Sequence, residues 1–278
     1  MVDQYNKLKI ISLNVRGLSA VAKRRKINMW FKKQGADIIF IQETHCTTSK
    51  LQSFKNSWCG KSYYSITPSA YSKGVAILFK PNLNLNVIDS ISTEDGRQLL
   101  LNVYINGKCI TLVNVYGPND TKERIEFFKK LEPWVMKYSH NVNSMIVAGD
   151  LNCCLCDEDR STGTHYGDKS RDSLANCIKY LNLFDVWKKL KPLDGKHYTW
   201  HDKVTRSRLD YFLVSESINV NIENIYLMTV INDIIGKRPT DHKALVLEVR
   251  IAIPAKGPGY WKLNNMHLKD KEYNEGIR

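Results

Sequence analysis

The sequence has no long apolar run. Its most continuous stretches, such as Ile38 to Ile41 and Val75 to Phe79, fall far short of the roughly 20 residues that cross a bilayer as a helix. No apolar core precedes Lys7-Leu8-Lys9 as a secretory leader would, so a soluble, unsecreted chain with no membrane partner is expected. The 7 cysteines are an odd number, and the Cys153, Cys154, Cys156 cluster has no second pair at zinc-site spacing, which argues against a disulfide framework and a zinc ribbon alike. That cluster reads as small buried hydrophobes plus a free thiol in a reducing compartment. With 15 Gly and 8 Pro the composition excludes collagen and low-complexity arrays, and no internal repeat is visible. Acids are the remaining shortage: 28 Asp plus Glu face 41 Lys plus Arg, a net charge of +13. Such a surplus attracts polyanions, nucleic acid or an anionic surface, ahead of a neutral metabolite.

What is present is material for one large domain, with 43% hydrophobic residues in 278. Strand-length runs rich in β-branched and aromatic residues recur at Lys9 to Val15, Asp37 to Ile41, Tyr63 to Ile66, Val75 to Phe79, Leu99 to Ile105, Cys109 to Val115, Met145 to Ala148, Leu209 to Val214 and Leu245 to Ile251. Asn106-Gly107 between two of them predicts a hairpin, because both residues accept positive φ. Candidate helices are fewer: Val21 to Gln34, Lys122 to Tyr138 and Ser170 to Asn182, each with apolar residues at three- and four-residue spacing. Many strands with few helices predict an α/β sandwich in which two mixed sheets pack face to face and helices cover the outside. Pro254, Gly257, Pro258 and Gly259 end the last strand, which places a catalytic domain at 1–252 and a polar linker at 253–278.

Several apolar runs end on an acid, an amide or a histidine: Asn14, Glu43, Tyr116, Asp150 with Asn152, and Asp241-His242 before the last strand. Singly each has a bland reading, as a turn cap, a solvated acid or a core histidine. Asp210, between Leu209 and Tyr211, must be paired or ligating if it is buried. Together the set suits phosphodiester hydrolysis, which needs a hard cation, a base to orient water and donors for the oxyanion. Glu43 with Asp241 suits an oxygen-ligated Mg²⁺, His242 with Asp210 an oriented imidazole, and Asn152, Asn14 and Tyr116 uncharged donors. Mg²⁺, with Mn²⁺ as substitute, is expected because cysteine and paired histidine ligands for zinc are missing from the set.

The ordered series Leu13-Asn14-Val15-Arg16-Gly17-Leu18, Ile41-Gln42-Glu43-Thr44-His45, Asn114-Val115-Tyr116-Gly117-Pro118-Asn119, Gly149-Asp150-Leu151-Asn152, Arg208-Leu209-Asp210-Tyr211 and Thr240-Asp241-His242 resembles the endonuclease/exonuclease/phosphatase superfamily. Within it the likeness is to the apurinic-type endonuclease domain of LINE retrotransposons. Asp159-Arg160-Ser161-Thr162, Tyr198-Thr199-Trp200 and Ser207 also resemble that subgroup. The resemblance implies a four-layer α/β sandwich with the site at one rim of the sheets. It implies metal binding at Glu43, with Asn14 and Asp241 close to the ion. Asp150 would orient or deprotonate water, and Asn152 and Tyr116 would contact phosphate and oxyanion. Asp210 would fix His242, itself a phosphate ligand, an acid or a base. Arg160, Asn119, Thr199 and Ser207 resemble DNA-contacting positions. The implied substrate is double-stranded DNA, nicked in one strand to leave a 3′-hydroxyl that primes reverse transcription. The action would be in the nucleus after synthesis in the cytoplasm. Gly257 to Asn264 resembles the stretch leading toward a downstream reverse transcriptase region of the same polyprotein.

One departure is informative. Arg16 stands where repair-type relatives are expected to carry an acid; it cannot ligate a cation but can hold a phosphate bidentately, so a DNA-backbone contact is expected. Lys196, Lys203, Arg206 and Arg208 surround Tyr198-Thr199-Trp200 in a predicted basic hairpin with Asp202 to Ser207 at its tip. In the family a hairpin here probes the minor groove. The run Lys23 to Lys26 reads as a solvated helix face, and Trp30, Trp134 and Trp187 as core. A fold does not settle a substrate, so a phosphatase or phospholipase of the superfamily and an inert nucleic-acid-binding module are the alternatives. The net charge and the hairpin oppose the first, and the full set of motif acids opposes the second.

Overall fold

Strands that are apolar on both faces must be covered on both sides, and a computed structural model shows what covers them. It describes residues 5–67, 73–162, 167–191, 197–230 and 240–252. Lys196 and the expected linker 253–278 lie outside the described residues. In chain order the strands are β1 Tyr5–Asn14, β2 Ile38–Gln42, β3 Ser62–Ser65, β4 Val75–Phe79, β5 Leu85–Ser92, β6 Gln98–Ile105, β7 Lys108–Tyr116, β8 Met145–Asp150, β9 Leu183–Asp185, β10 Trp200–His201, β11 Arg206–Ser207, β12 Asp210–Ser215, β13 Ile222–Met228 and β14 Ala244–Ala252. The helices are α1 Val21–Lys33, α2 Leu51–Asn56, α3 Thr121–Tyr138, α4 Ser170–Tyr180, α5 Val186–Leu190 and α6 Glu216–Asn219.

Two six-stranded sheets, ordered β13-β14-β1-β2-β4-β3 and β5-β6-β7-β8-β12-β9, form the centre of the sandwich. Between them lies an apolar layer in which Phe40 of β2 meets Phe212 of β12 edge to face at 6.3 Å. A second layer packs Ile27 and Phe31 of α1 and Phe54 of α2 on the first sheet, and a third packs Phe128 and Leu131 of α3 and Leu174 of α4 on the other. This is the expected four-layer α/β sandwich. Asn106 and Gly107 both have positive φ, at 52° and 79°, and close the β6–β7 hairpin as predicted.

The topology brings the chemistry to one rim. β1 and β2 run parallel and finish together, Asn14 opposite Gln42; β7 and β8 do the same in the other sheet, Tyr116 opposite Asp150. β12 runs antiparallel to β8 and starts there, Asp210 opposite Asp150. Just below this rim a buried amide pair ties the sheets: Gln42 Nε2 donates to Asn114 Oδ1 at 2.8 Å, and Asn114 Nδ2 to the Ala76 carbonyl at 2.7 Å. Deletion of either amide would leave its partners buried and unsatisfied.

Among the strands outside the runs predicted from the sequence are β5 and β13. Each is an edge strand, exposed at alternate positions or half-buried, with Asn, Asp, Ser and Glu among its residues, so it carries a weaker apolar signal than a central strand. All seven cysteines are free thiols. Trp187 is buried, and Trp30 and Trp134 pack against apolar clusters from partly exposed positions. The Lys23 to Lys26 run is less solvated than expected: Arg24 is buried, with its guanidinium donating to the Leu18 carbonyl and Ser53 Oγ.

Candidate active site

Left-handed backbone at residues other than glycine costs energy and collects where function over-determines it. Among the described residues it occurs at three turn asparagines, Asn82, Asn106 and Asn182, and at Arg16 (φ 49°), Glu43 (53°), His45 (53°) and Asn152 (49°). The latter four lie on the turns leaving β1, β2 and β8. The backbone there has little freedom: a Cβ on Gly149 would lie 1.9 Å from the Val115 carbonyl oxygen, and one on Gly17 2.6 Å from His45 Nδ1. Close packing of β7 on β8, and of His45 on the β1 turn, therefore requires glycine at both positions.

These turns surround a cavity of about 520 Å³ lined by Arg16, Glu43, Tyr116, Asn119, Asp150, Asn152, Arg160, Trp200, Ser207, Asp241 and His242, among others. Its floor is a hydrogen-bonded chain. Asn14 Nδ2 donates to Glu43 Oε1 at 2.9 Å and to Asp150 Oδ2 at 2.8 Å, and the Tyr116 hydroxyl donates to Glu43 Oε1 at 2.9 Å. Asp150 Oδ1 accepts the Asn152 backbone N–H at 2.9 Å, and Asn152 Nδ2 donates to the Gly117 carbonyl. His242 Nδ1 lies 2.8 Å from Asp210 Oδ2, while its Nε2 lies 3.7 Å from Asp150 Oδ2. Asp210 thereby orients the imidazole as second-partner carboxylates do.

The environment separates these groups by charge state. Burial, followed by the nearby Asp210 charge, raises Asp150 to about 7 against the opposing pull of His242. Burial works to lower His242, but the charges of Asp210 and Asp150 outweigh it and raise the imidazole to about 9. Burial also works to raise Glu43, yet contacts from His45, Asn14 and Tyr116 outweigh it and hold the carboxylate below its usual range. Tyr116 is pushed up by burial and by Glu43 and Asp150, so it stays a neutral donor at physiological pH. One rim thus holds an ionised carboxylate, a carboxyl poised near neutrality and an imidazolium, the kind of spread that acid–base work requires.

The donor set suits a hard divalent cation. Ligand atoms of Asp150, Asp210 and His242 lie within 4.8 Å of one another, and Asp210 Oδ1 is buried with no hydrogen-bond partner. Such an orphaned carboxylate oxygen beside further acidic oxygens is a place where an oxygen-seeking ion fits. Two residues expected at the ion are engaged otherwise. Asn14 presents its amide nitrogen to the carboxylates and turns Oδ1 to the Arg16 backbone N–H at 3.0 Å. Asp241 Oδ2 accepts from Arg16 Nη1 at 3.1 Å and from Trp200 Nε1 at 3.2 Å.

The predicted hairpin is present as β10 and β11, Trp200 opposite Ser207, with Lys203 and Arg206 exposed; Arg206 and Ser207, expected at the tip, pair with β10 instead. It belongs to a small irregular sheet. Arg160 bridges Ser207 on one side and His242 bridges Trp200 on the other, so the hairpin is bonded through the backbone to the segment carrying His242, which forms a His–Asp dyad with Asp210. Two expected DNA contacts need correction. Arg208 is 1% exposed; its Nε lies 2.6 Å from Asp159 Oδ1, its Nη1 2.9 Å from Asp185 Oδ1, and its guanidinium covers the Tyr211 ring. Two carboxylates consume its charge inside the protein, leaving none for a phosphate. Thr199 is also 1% exposed, and its Oγ1 accepts the N–H groups of Leu209 and Asp210 at 3.0 and 3.1 Å. It seats the residue that holds His242. Ser207 is buried but lines the cavity, as do Asn119 and Arg160.

Three site residues were missed. Trp200 donates to Asp241, and His45 Nε2 stands 3.5 Å from Glu43 Oε2. Arg124 holds the loop before α3, donating to the carbonyls of Pro118 and Asn119. For Arg124 a signal existed, since it falls on the same helical stripe as Phe127, Phe128 and Leu131, and a cation on an apolar stripe needs internal partners.

Residues 11–242 match the model of the Endonuclease/Exonuclease/phosphatase family. The chain is 27% identical over 276 residues to the 149 kDa protein of transposon TX1 from Xenopus laevis, across 98% of this chain and 20% of that protein. Among solved structures, the AP endonuclease LMAP from Leishmania major superposes with a TM-score of 0.71 at 19% identity, covering 88% of both chains. The endonuclease domain of TRAS1, a telomere-specific non-LTR retrotransposon, superposes with a TM-score of 0.61 at 18% identity, covering 88% of this chain and 98% of that one. Both show the same fold.

Proposed function

Because the chain belongs to the Endonuclease/Exonuclease/phosphatase family, we propose that it is a divalent-cation-dependent DNA endonuclease. It nicks one strand of a duplex and leaves a 3′-hydroxyl from which reverse transcription is primed. The observation that carries this reading is the placement of the Glu43–Asn14–Asp150 chain beside the His242–Asp210 pair on the floor of one cavity. Arg16, Arg160 and the basic hairpin border that cavity. A negative floor inside a positive rim suits a cation below a phosphodiester and arginines beside it.

Glu43 would hold the cation among the acidic oxygens of the floor, with Mg²⁺ expected and Mn²⁺ a substitute. When bound, it supplies positive charge to the phosphoryl oxygens. Asp150 is fixed by Asn14 and the Asn152 N–H, and it orients the attacking water and takes one proton from it as the new P–O bond forms. The P–O3′ bond breaks, and the departing O3′ takes a proton from solvent water to become the hydroxyl. His242, kept as an imidazolium by Asp210, directs its Nε2 proton at the phosphate and so stabilises the charge that develops there. Tyr116 and Asn152 stand by as neutral donors. Arg16, Asn119, Arg160, Lys203, Arg206 and Ser207 form the surface that receives the duplex.

We further propose that residues 1–252 are an endonuclease domain that acts in the nucleus with a reverse transcriptase region downstream; a match that spans 20% of a transposon protein supports reading the chain as part of a longer polyprotein. The test is conversion of supercoiled plasmid to open circles with Mg²⁺, and its loss in chelator. Asp150→Ala and His242→Ala should each slow nicking by about 10²-fold or more, and the nicks should be extended by a polymerase without prior end treatment. Plasmid left intact by the parent protein, or nicked equally by both variants, would sink the reading.

A further inference from the structure

Three separate segments meet on one carboxylate at the lip of the cavity. Asp241 Oδ2 accepts from Arg16 Nη1 on the turn after β1 and from Trp200 Nε1 on β10. The Asp241 carbonyl lies 3.1 Å from His201 Nδ1. The preceding residue is tied down too: the Thr240 hydroxyl donates to the Asn14 carbonyl at 2.8 Å. Asp241 is thus a junction between the first turn, the hairpin and the dyad segment. Its charge is opposed by a guanidinium, and the indole N–H occupies the same oxygen. Lys23 adds a second cation nearby, its Nζ donating to the Val15 and Arg16 carbonyls, and its pKa is lowered by burial and then by the Arg16 charge.

The floor is arranged in the opposite sense. Glu43 and Asp150 both bind one amide nitrogen, that of Asn14, and no guanidinium contacts either among the described residues. A divalent ion placed on Asp241 would sit against Arg16, which already occupies that carboxylate, and be repelled by it, whereas Glu43 Oε1 on the floor accepts from the neutral donors Asn14 and Tyr116. Arg16 itself is 66% exposed in its side chain. One nitrogen is engaged with Asp241, which leaves further donors of the guanidinium fork for a ligand.

We infer that Asp241 anchors Arg16 as a fixed positive charge at the lip of the cavity and is a positioning residue, not a cation ligand. A single cation on the floor and the Arg16 guanidinium then share the charge of the bound phosphate. The assignment of that phosphate to DNA rests on the nuclease reading; the anchoring role does not.

The test measures Mn²⁺ affinity of the intact chain without DNA, by water-proton relaxation. Glu43→Gln should weaken Mn²⁺ by about tenfold or more, while Asp241→Asn stays within about threefold of the parent. Asp241→Ser serves as the second variant, and unfolding midpoints identify any variant that fails to fold. Duplex binding in chelator supplies the other arm. Arg16→Ala and Asp241→Asn should each weaken it, and the double variant should be no weaker than Arg16→Ala alone, because Asp241 acts through Arg16. Loss of Mn²⁺ affinity in the Asp241 variants equal to that in Glu43→Gln would make Asp241 a ligand and overturn the inference. Additive losses of DNA affinity would overturn the anchoring role. A chain that nicks nothing still yields the Mn²⁺ ranking, so failure of the nuclease reading and failure of this one remain distinct.

Discussion

Asp210 and Asp150 stand directly opposite each other across the pairing of β12 with β8, and both carboxylates turn to the same imidazole, that of His242. Burial alone would favour a neutral ring, yet the paired acids raise it to about 9. Asp210→Asn removes the stronger of the two charges while keeping the shape. The His242 ring resonances, followed by NMR, should then titrate closer to 6.5, the ordinary value. Nicking at neutral pH should fall by about 10²- to 10⁴-fold as the imidazolium is lost. A ring that still titrates near 9 in this variant would show that Asp210 does not hold the proton.

The same groups set a pH dependence of stability in the cation-free protein. His242 rises from 6.5 to about 9 on folding, and Asp150 from 3.8 to about 7. Both changes mean that the folded chain binds protons the unfolded chain has released, so stability falls as pH rises. The Asp150 contribution declines between about pH 4 and 7, and the His242 contribution, complete below 6.5, is lost as pH passes through 9. Thermal midpoints measured in chelator should therefore drop across this range. Saturating Mg²⁺ should flatten the drop, because it binds the ionised carboxylates of the folded state and stabilises it by mass action. A midpoint that climbs from pH 5 to 9 in chelator would contradict the sign.

Arg206 and Arg208 lie two residues apart and should fail in different ways. Arg208→Met leaves Asp159 and Asp185 without their buried partner and should cost about 3–5 kcal/mol of stability. Arg206→Ala, at an exposed site, should leave the thermal midpoint almost unchanged, weaken duplex binding and reduce the salt dependence of that binding by about one unit of slope. Unfolding scans and binding across salt separate the two. Equal salt slopes for the Arg206 variant and the parent would remove the hairpin from the DNA surface.

The contrast between these arginines shows what was legible in the sequence. Apolar runs ending on Asn14, Glu43, Tyr116 and Asp150 mark where the central strands stop, and because the sheets bring those ends to one rim, the floor of the site is legible from the sequence alone. The hairpin was legible from its turn residues and charges. The direction of each side chain was not. Arg208 and Thr199 precede or pair with a strand in an irregular stretch, where no period of two or 3.6 assigns a face. Partners such as Asp159 and Asp185 are distant in sequence and join Arg208 only through the fold. The edge strand β5 escaped for a related reason, since its exposed alternate positions carry polar residues that also make loops.

Thr199 provides the sharpest test of that lesson, because the two readings of it predict opposite kinetics. As a DNA contact its removal would raise KM for the duplex. In the structure its Oγ1 receives the backbone N–H groups of Leu209 and Asp210, which seats Asp210 against His242. Thr199→Val keeps the volume and removes that acceptor, leaving two N–H groups short of a partner at about 1–3 kcal/mol each. With Asp210 displaced, kcat should fall while KM for the duplex stays near the parent value. Thr199→Ser, which restores the oxygen, should recover kcat. Single-turnover nicking against duplex concentration measures both quantities, and a raised KM with unchanged kcat would return Thr199 to the DNA-contacting set. The hydroxyl is enclosed by protein, so the expected outcome is the loss in kcat.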